Sequence, residues 1–226
     1  MKKQLFFTAI AATGLMISAT NLAATAPAAN TTFTGFFAGA DFGFRSVDYK
    51  QHLIFASENS TKEQYVTQPT EGLHLGWGYE FPNQAYLGIQ AIARIAQGTI
   101  TNTASFPTTQ ASNDTEFDEL YGINGIAGFA LTPHFLPYLT AGFQSLKVKD
   151  NENLSTAGPV YNIDKFTAGP DVGLGVRYLV TKNVMLDAEF TAAWFGEVKE
   201  VTATTTDRIK PRTTVTGTVG ISYLFG

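Results

Sequence analysis

From Gly35 onward the chain alternates apolar residues with small or polar ones at a period of two. That period marks β-strands whose two faces meet different surroundings. Over Gly35 to Arg45, Phe36, Ala38, Ala40, Phe42 and Phe44 share one face, and Gly35, Phe37, Gly39, Asp41, Gly43 and Arg45 share the other. The pattern returns at about 70–81, 85–97, 117–131, 137–147, 166–180, 184–195 and 213–225. These are about eight strands of ten or more residues. Globular strands average ~5–6 residues, whereas a tilted strand crossing a bilayer needs ~9–11. Beyond residue 32 no apolar run approaches membrane-helix length and no 3.6 period stands out.

The connections alternate in length. Turn signals lie near 82–84, 132–136 and 181–183, and long polar segments near 47–68, 98–115, 148–165 and 197–211. Short periplasmic turns and long external loops are the pattern of an outer-membrane barrel. The expected fold is all-β, a transmembrane up-and-down antiparallel β-barrel of about eight strands. Its even strand count puts both ends of the barrel on the periplasmic side.

A soluble barrel with an apolar, ligand-binding interior is the structural competitor. The faces decide between the two. The polar face is too rich in glycine and too poor in lysine for a solvated exterior. The apolar face is nearly free of charge, which suits lipid, where a mid-plane Arg or Lys costs about 2–4 kcal/mol. Aromatics gather at strand ends: Phe81, Tyr86, Phe129, Phe135, Tyr138, Tyr178, Tyr223 and Phe225 at the periplasmic rim. Phe44, Phe117, Phe166, Trp194 and Phe195 are expected at the outer rim, as girdles of a membrane barrel.

The N-terminus reads as an address. Lys2 and Lys3 precede an apolar run from Leu5 to Ile17, followed by small residues through Ala24, the layout of a secretory signal peptide. The expected organisation is a signal peptide over 1–24, a flexible leader over 25–32 and the barrel over 33–226. The h-region is too short to serve as a membrane anchor, and no cysteine follows it for lipid attachment.

Composition narrows the chemistry. Charged residues make up 15% of the chain, against about 25% in soluble proteins, so much of the surface does without charge. Cysteine is absent, which removes disulfides, thiolate nucleophiles and Cys-based metal sites. The net charge of -4 argues against nucleic acid, which needs a basic face. His52, His74 and His134 show no ligand spacing for a metal, and no cofactor is expected. Gly169 to Gly175 lies within a strand and lacks the Lys and following helix of a phosphate loop.

Eight charged residues are expected inside the barrel: Asp41, Arg45, Glu80, Arg94, Asp171, Arg177, Asp187 and Glu189. In a dry lumen they must pair, and they read as a structural ion-pair plug rather than acid–base machinery. The outer segments are mixed in charge and show no large basic patch. Phe55, Tyr65, Phe106 and Tyr161 are expected to pack against neighbouring loops, with contact to a host or phage surface protein as the alternative.

Three places, taken in order, resemble the small OmpA/OmpX-like outer-membrane barrels of the Gram-negative cell envelope. They are Gly35-Phe36-Phe37-Ala38-Gly39, Pro137-Tyr138-Leu139-Thr140-Ala141-Gly142, and Gly173-Leu174-Gly175-Val176-Arg177-Tyr178 followed by Asp187-Ala188-Glu189-Phe190. The resemblance spans roughly 33–225 and implies outer-membrane location, with lipid and lipopolysaccharide around the barrel. It also implies handling by the barrel assembly machinery, whose C-terminal signal would be Tyr223 and Phe225 with Val219 and Ile221 before them. Gly226 after the phenylalanine departs from that signal. No peptidoglycan-binding domain is expected after the barrel. The expected role is non-enzymatic: a structural envelope or surface-adhesion protein presenting loops. The alternatives are a narrow passive channel and, below that, a lipid A-modifying enzyme. Such enzymes in barrels of this size use a His with a nearby Ser, and neither His52 nor His74 has a Ser beside it, although Ser57 and Ser60 share the first long segment with His52.

Overall fold

A computed structural model describes residues 33–55, 58–106, 109–154, 158–201 and 205–225. The signal-peptide and leader expectations fall on 1–32, outside the described residues. The chain forms β1 (Gly35–Phe55), β2 (Glu58–Glu80), β3 (Ala85–Ala96), β4 (Thr99–Phe106), β5 (Thr109–Phe129), β6 (Phe135–Leu154), β7 (Gly158–Leu179), β8 (Val184–Ala193), β9 (Val198–Val201) and β10 (Thr205–Phe225). β3 and β4 both pair with β5, and β8 and β9 both pair with β10. Each couple is therefore one interrupted wall strand, and the wall has eight antiparallel strands. β1 pairs with β10 from Phe36↔Phe225 to Phe55↔Thr205, which closes the sheet on itself.

Tight turns join the strands at one end. Between β2 and β3, the Gln84 amide bonds the Phe81 carbonyl at 2.8 Å, with Gln84 at φ 69°. The other connections are not long loops. The polar segments 47–68, 98–115, 148–165 and 197–211, expected as loops, are mostly strand. β1 has 21 residues, about 70 Å of chain at ~3.3 Å per residue. An apolar band of ~25 Å crossed at a 35–45° tilt uses only part of that. The strands continue past the lipid because Thr, Val and Tyr alternating with polar residues favour extended chain in water as well.

Beyond the band the wall divides. The β2–β3 ladder ends at Thr70↔Ala96, and the β7–β8 ladder ends at Asp171↔Ala193. Further out, β9–β10–β1–β2 form one sheet and β4–β5–β6–β7 another. Their inner faces meet in one dry cluster: Val47, Tyr49, Val198 and Ile209 from the first sheet, Phe117, Leu120, Leu146, Val148 and Ile163 from the second. Tyr49 and Phe117 touch edge to face, ring centroids 5.0 Å apart. The outer half is thus a β-sandwich standing on a barrel. Side chains bridge the two seams: Gln68 donates to the Gly98 carbonyl at 3.0 Å, and Thr167 to the Gly196 carbonyl at 2.9 Å.

The apolar face points outward. Phe36, Leu73, Leu75, Ile123, Leu139, Phe143 and Leu174 are exposed while their alternating partners are buried. Four of the expected girdle aromatics lie inside instead. Tyr86 and Tyr138 are buried near the tight-turn end, and Phe117 and Phe195 near the other. Glycine is the reason at the tight-turn end: a Cβ at Gly78 would overlap the Tyr86 ring, and one at Gly175 the Tyr138 ring. Each tyrosine lies across a neighbouring strand where no side chain stands.

Two exterior positions separate lipid from water. Leu174→Arg should destabilise the assembled barrel by about 2–4 kcal/mol. Thr67→Arg, on the exterior but above the apolar band, should change stability by less than about 0.5 kcal/mol. Urea unfolding of the barrel refolded in vesicles checks this; equal effects would place the lipid boundary elsewhere.

Candidate functional site

The barrel interior has three layers. At the tight-turn end Phe33, Phe37, Tyr86, Ile126, Leu136, Tyr138, Leu179, Met185 and Leu224 form an apolar layer. At the far end the sandwich core forms another. The charges lie between them.

Alternation on each strand aims these groups inward, and the register brings them to one level. Asp41 on β1 faces Gly72 on β2, which faces Arg94 on β3. Gly72 leaves the space that Arg94 fills. Arg94 Nε donates to Asp41 Oδ1 at 2.9 Å and its Nη2 to Glu189 Oε1 at 3.3 Å. Gln90 Nε2 donates to Glu189 Oε2 at 2.8 Å, and Arg177 Nη2 donates to Gln90 Oε1 at 3.1 Å. Arg177 also donates to Tyr86 Oη at 3.0 Å and lies over the rings of Phe37, at 4.1 Å, and Tyr138, at 5.0 Å. The guanidinium is thus held largely by aromatic faces and neutral acceptors.

His74 completes this layer. Its Nδ1 is 3.1 Å from Asp41 Oδ2 and its Nε2 is 2.7 Å from Ser222 Oγ. Ser222 Oγ in turn donates to Asp187 Oδ2 at 2.9 Å. Ser, His and Asp are connected here in the order of a nucleophilic triad. Its surroundings give a different reading: Ser222, His74 and Asp41 are all buried and bonded to one another within the ion layer.

Of the eight charges named from the sequence, Asp41, Arg94, Arg177, Asp187 and Glu189 meet in this layer. The other three stand apart. Arg45 crosses from β1 to β5 and donates to the Phe117 and Asp118 carbonyls, where a bulge interrupts the β5–β6 ladder. Glu80 accepts the Phe33 amide at 3.0 Å near the tight-turn end. Asp171 accepts from Asn124 at 2.8 Å. Sequence reasoning did not bring Gln90, Tyr86, Tyr138 and Ser222 into the network. Their inward parity was visible, but the cross-barrel partners of a residue depend on register, which alternation alone does not give. Tyr223 and Phe225 are exposed on the outer wall, ring centroids 4.8 Å apart. Among the described residues no three His, Asp or Glu side chains are grouped to hold a metal ion.

The sequence model of the outer membrane protein beta-barrel domain matches residues 11–225. The chain belongs to this family. It is a protein of the outer membrane. Solved barrels are similar to this chain at low identity. The outer membrane protein OprG of Pseudomonas aeruginosa is 12% identical, with 85% of this chain and 96% of that chain covered and a TM-score of 0.52. Neisserial surface protein A is 18% identical over 85% and 98%, with a TM-score of 0.42. Ail of Yersinia pestis, solved in complex with the heparin analogue sucrose octasulfate, is 14% identical over 84% and 99%, with a TM-score of 0.43. A comparison with curated protein sequences finds no match. In this family's frame the tight turns are periplasmic and the sandwich faces outward from the cell.

Asp41→Asn leaves Arg94 and His74 without their shared carboxylate and should cost about 3–5 kcal/mol of barrel stability, the penalty of a broken buried pair. Ser222→Ala removes one neutral partner and should cost about 1 kcal/mol. Urea midpoints of the two variants against wild type check both; a larger loss for Ser222→Ala would relocate the keystone of the layer.

Proposed function

We propose that this is a non-enzymatic anchor barrel whose envelope role is carried by the outer sandwich and the connections at its tips. The role is structural support or surface adhesion. The observation that carries the reading is the layering of the lumen: an ion network lies between two buried apolar clusters. A passive channel needs a continuous wet path, and both layers stand across it. A nucleophilic enzyme needs access for substrate, and the Ser222–His74–Asp41 chain is buried. Of the residues considered for lipid A chemistry, His74 points inward, His52 is bonded to Thr61 Oγ1 at 2.7 Å, and Ser57 and the side chain of Ser60 lie outside the described residues. Of the aromatics considered as partner contacts, Tyr65 is exposed on the outer sandwich, while the side chains of Phe55, Phe106 and Tyr161 lie outside the described residues.

Planar-bilayer recordings of the purified barrel test the reading. No conductance steps above background are expected. Reproducible steps that change with Arg94→Gln would make the lumen a route and end the anchor proposal. A serine-reactive fluorophosphonate should leave the folded protein unlabelled, and labelling lost in Ser222→Ala would turn the buried chain into an active site.

A further inference from the structure

Above the apolar band, the outward face of β9–β10–β1–β2 is basic. Arg208-Ile209-Lys210-Pro211-Arg212 alternates, so Ile209 and Pro211 are buried while the three cations face out. The register adds neighbours from other strands. Lys210 stands opposite Lys50, and Arg208 stands between Lys199 and His52. Arg212 takes the extra position at the β1–β10 bulge. The sequence reading treated 47–68 and 197–211 as separate loops of mixed charge; pairing brings their cations onto one surface.

Like charges directly opposite on neighbouring strands are destabilising. Acids on this sheet offset them only in part. Glu63 is shared by Lys50 and Arg212, at 3.3 Å from each, and Glu197 lies 3.9 Å from Arg208. Lys210 has no ion pair among the described residues. The opposite sheet is built the other way. Asp114, Glu116, Asp118, Glu119 and Asp164 outnumber Lys147, Lys149 and Lys165 there. Lys147 bridges Glu119 and Asp164, and Lys149 donates to Asp118 at 2.7 Å, which raises the Lys149 pKa above its ordinary value. Lys147 and Lys149 each have their own acids on that sheet, whereas on the first Lys50 and Arg212 share one acid and Lys210 has no ion pair among the described residues.

We propose that the β9–β10–β1–β2 face binds the phosphate- and carboxylate-bearing sugars of the outer-leaflet glycolipid, lipopolysaccharide. The cations continue the same outward face whose lower part, Phe36 to Phe44 on β1 and Val215 to Phe225 on β10, meets acyl chains. They point sideways at neighbouring lipids. Height selects the lipid. Lys50 lies six residues past Phe44, about 20 Å along the strand and roughly 15 Å above the apolar edge after tilt. Phospholipid headgroups extend only about 5–8 Å beyond the hydrocarbon, so their phosphates fall short. The charged sugars of a glycolipid reach that level, and Arg and Lys pair with them as charge-assisted donors.

The test uses the full protein refolded into phosphatidylcholine vesicles, titrated with purified lipopolysaccharide and, separately, with lipid-free heparin oligosaccharide. Lys50→Gln/Lys210→Gln/Arg212→Gln should weaken lipopolysaccharide binding tenfold or more. Lys147→Gln/Lys149→Gln should leave it within twofold of wild type. The mobility difference between boiled and unboiled samples reports folding of each variant. If the triple variant does not fold, Lys210→Gln alone should weaken binding about threefold. Wild-type affinity in the triple variant, or in Lys210→Gln where the triple is unfolded, would overturn the proposal. So would equal loss in the opposite-face variant. Heparin binding as tight as lipopolysaccharide would also overturn it, assigning the face to free polyanionic glycans.

Discussion

No peptide group can stay unpaired in hydrocarbon, where each orphan costs several kcal/mol. The β1–β10 ladder that closes the wall answers that constraint, and the rest of the architecture follows from where it applies. Within the apolar band every strand has two partners and the wall is closed. Where lipid gives way to water, an edge can be solvated, and there the β2–β3 and β7–β8 ladders end. The wall then parts into two sheets that collapse onto each other. The outer sandwich is what a barrel becomes when closure is no longer enforced and an inner apolar face still has to be buried.

The lumen obeys a second constraint, size. The interior of an eight-stranded barrel is just filled by side chains. Here it is filled by residues reaching across glycines: Tyr86 over Gly78, Tyr138 over Gly175, Phe37 over Gly76. Glycine therefore works in pairs with large aromatics, and its frequency on the inner face reflects filled rather than empty space. The ion layer between is tolerable because its charges are held together. Asp41 serves Arg94 and His74, and Glu189 serves Arg94, Gln90 and Tyr138. Removing a shared member uncovers more than one partner, so the layer fixes register across β1, β2, β3 and β8 at once.

Much of this was legible in the sequence. Period-two alternation gave the strands, their outward apolar face and the inward charges, because parity depends only on local chain geometry. The strand lengths were not legible beyond the membrane. The segments 47–68 and 197–211 look like loops because their alternation is polar on one side and only sparsely apolar on the other, and a strand in water can carry that pattern as well as a loop can. Tyr86, Tyr138, Phe117 and Phe195 were misplaced for a related reason: an aromatic at a strand end suits an interfacial girdle, and that expectation overrode the inward parity of Tyr86 and Tyr138, which the facing glycines accommodate, while the opposing sheet covers Phe117 and Phe195. The basic face escaped notice because its members come from β1, β9 and β10, and register is a long-range property.

The absence of cysteine makes access to the lumen directly measurable, since any introduced thiol is the chain's sole one. Thr140→Cys places a thiol in the ion layer, and Thr61→Cys places one on the outer wall. Labelling of the folded protein with a small, charged, water-soluble maleimide reads access to each. The account predicts rapid modification of the Thr61 variant and none of the Thr140 variant until the barrel is unfolded. Comparable rates at the two positions would mean that water and solutes pass the apolar layers, and the closed anchor would have to be redrawn as a channel.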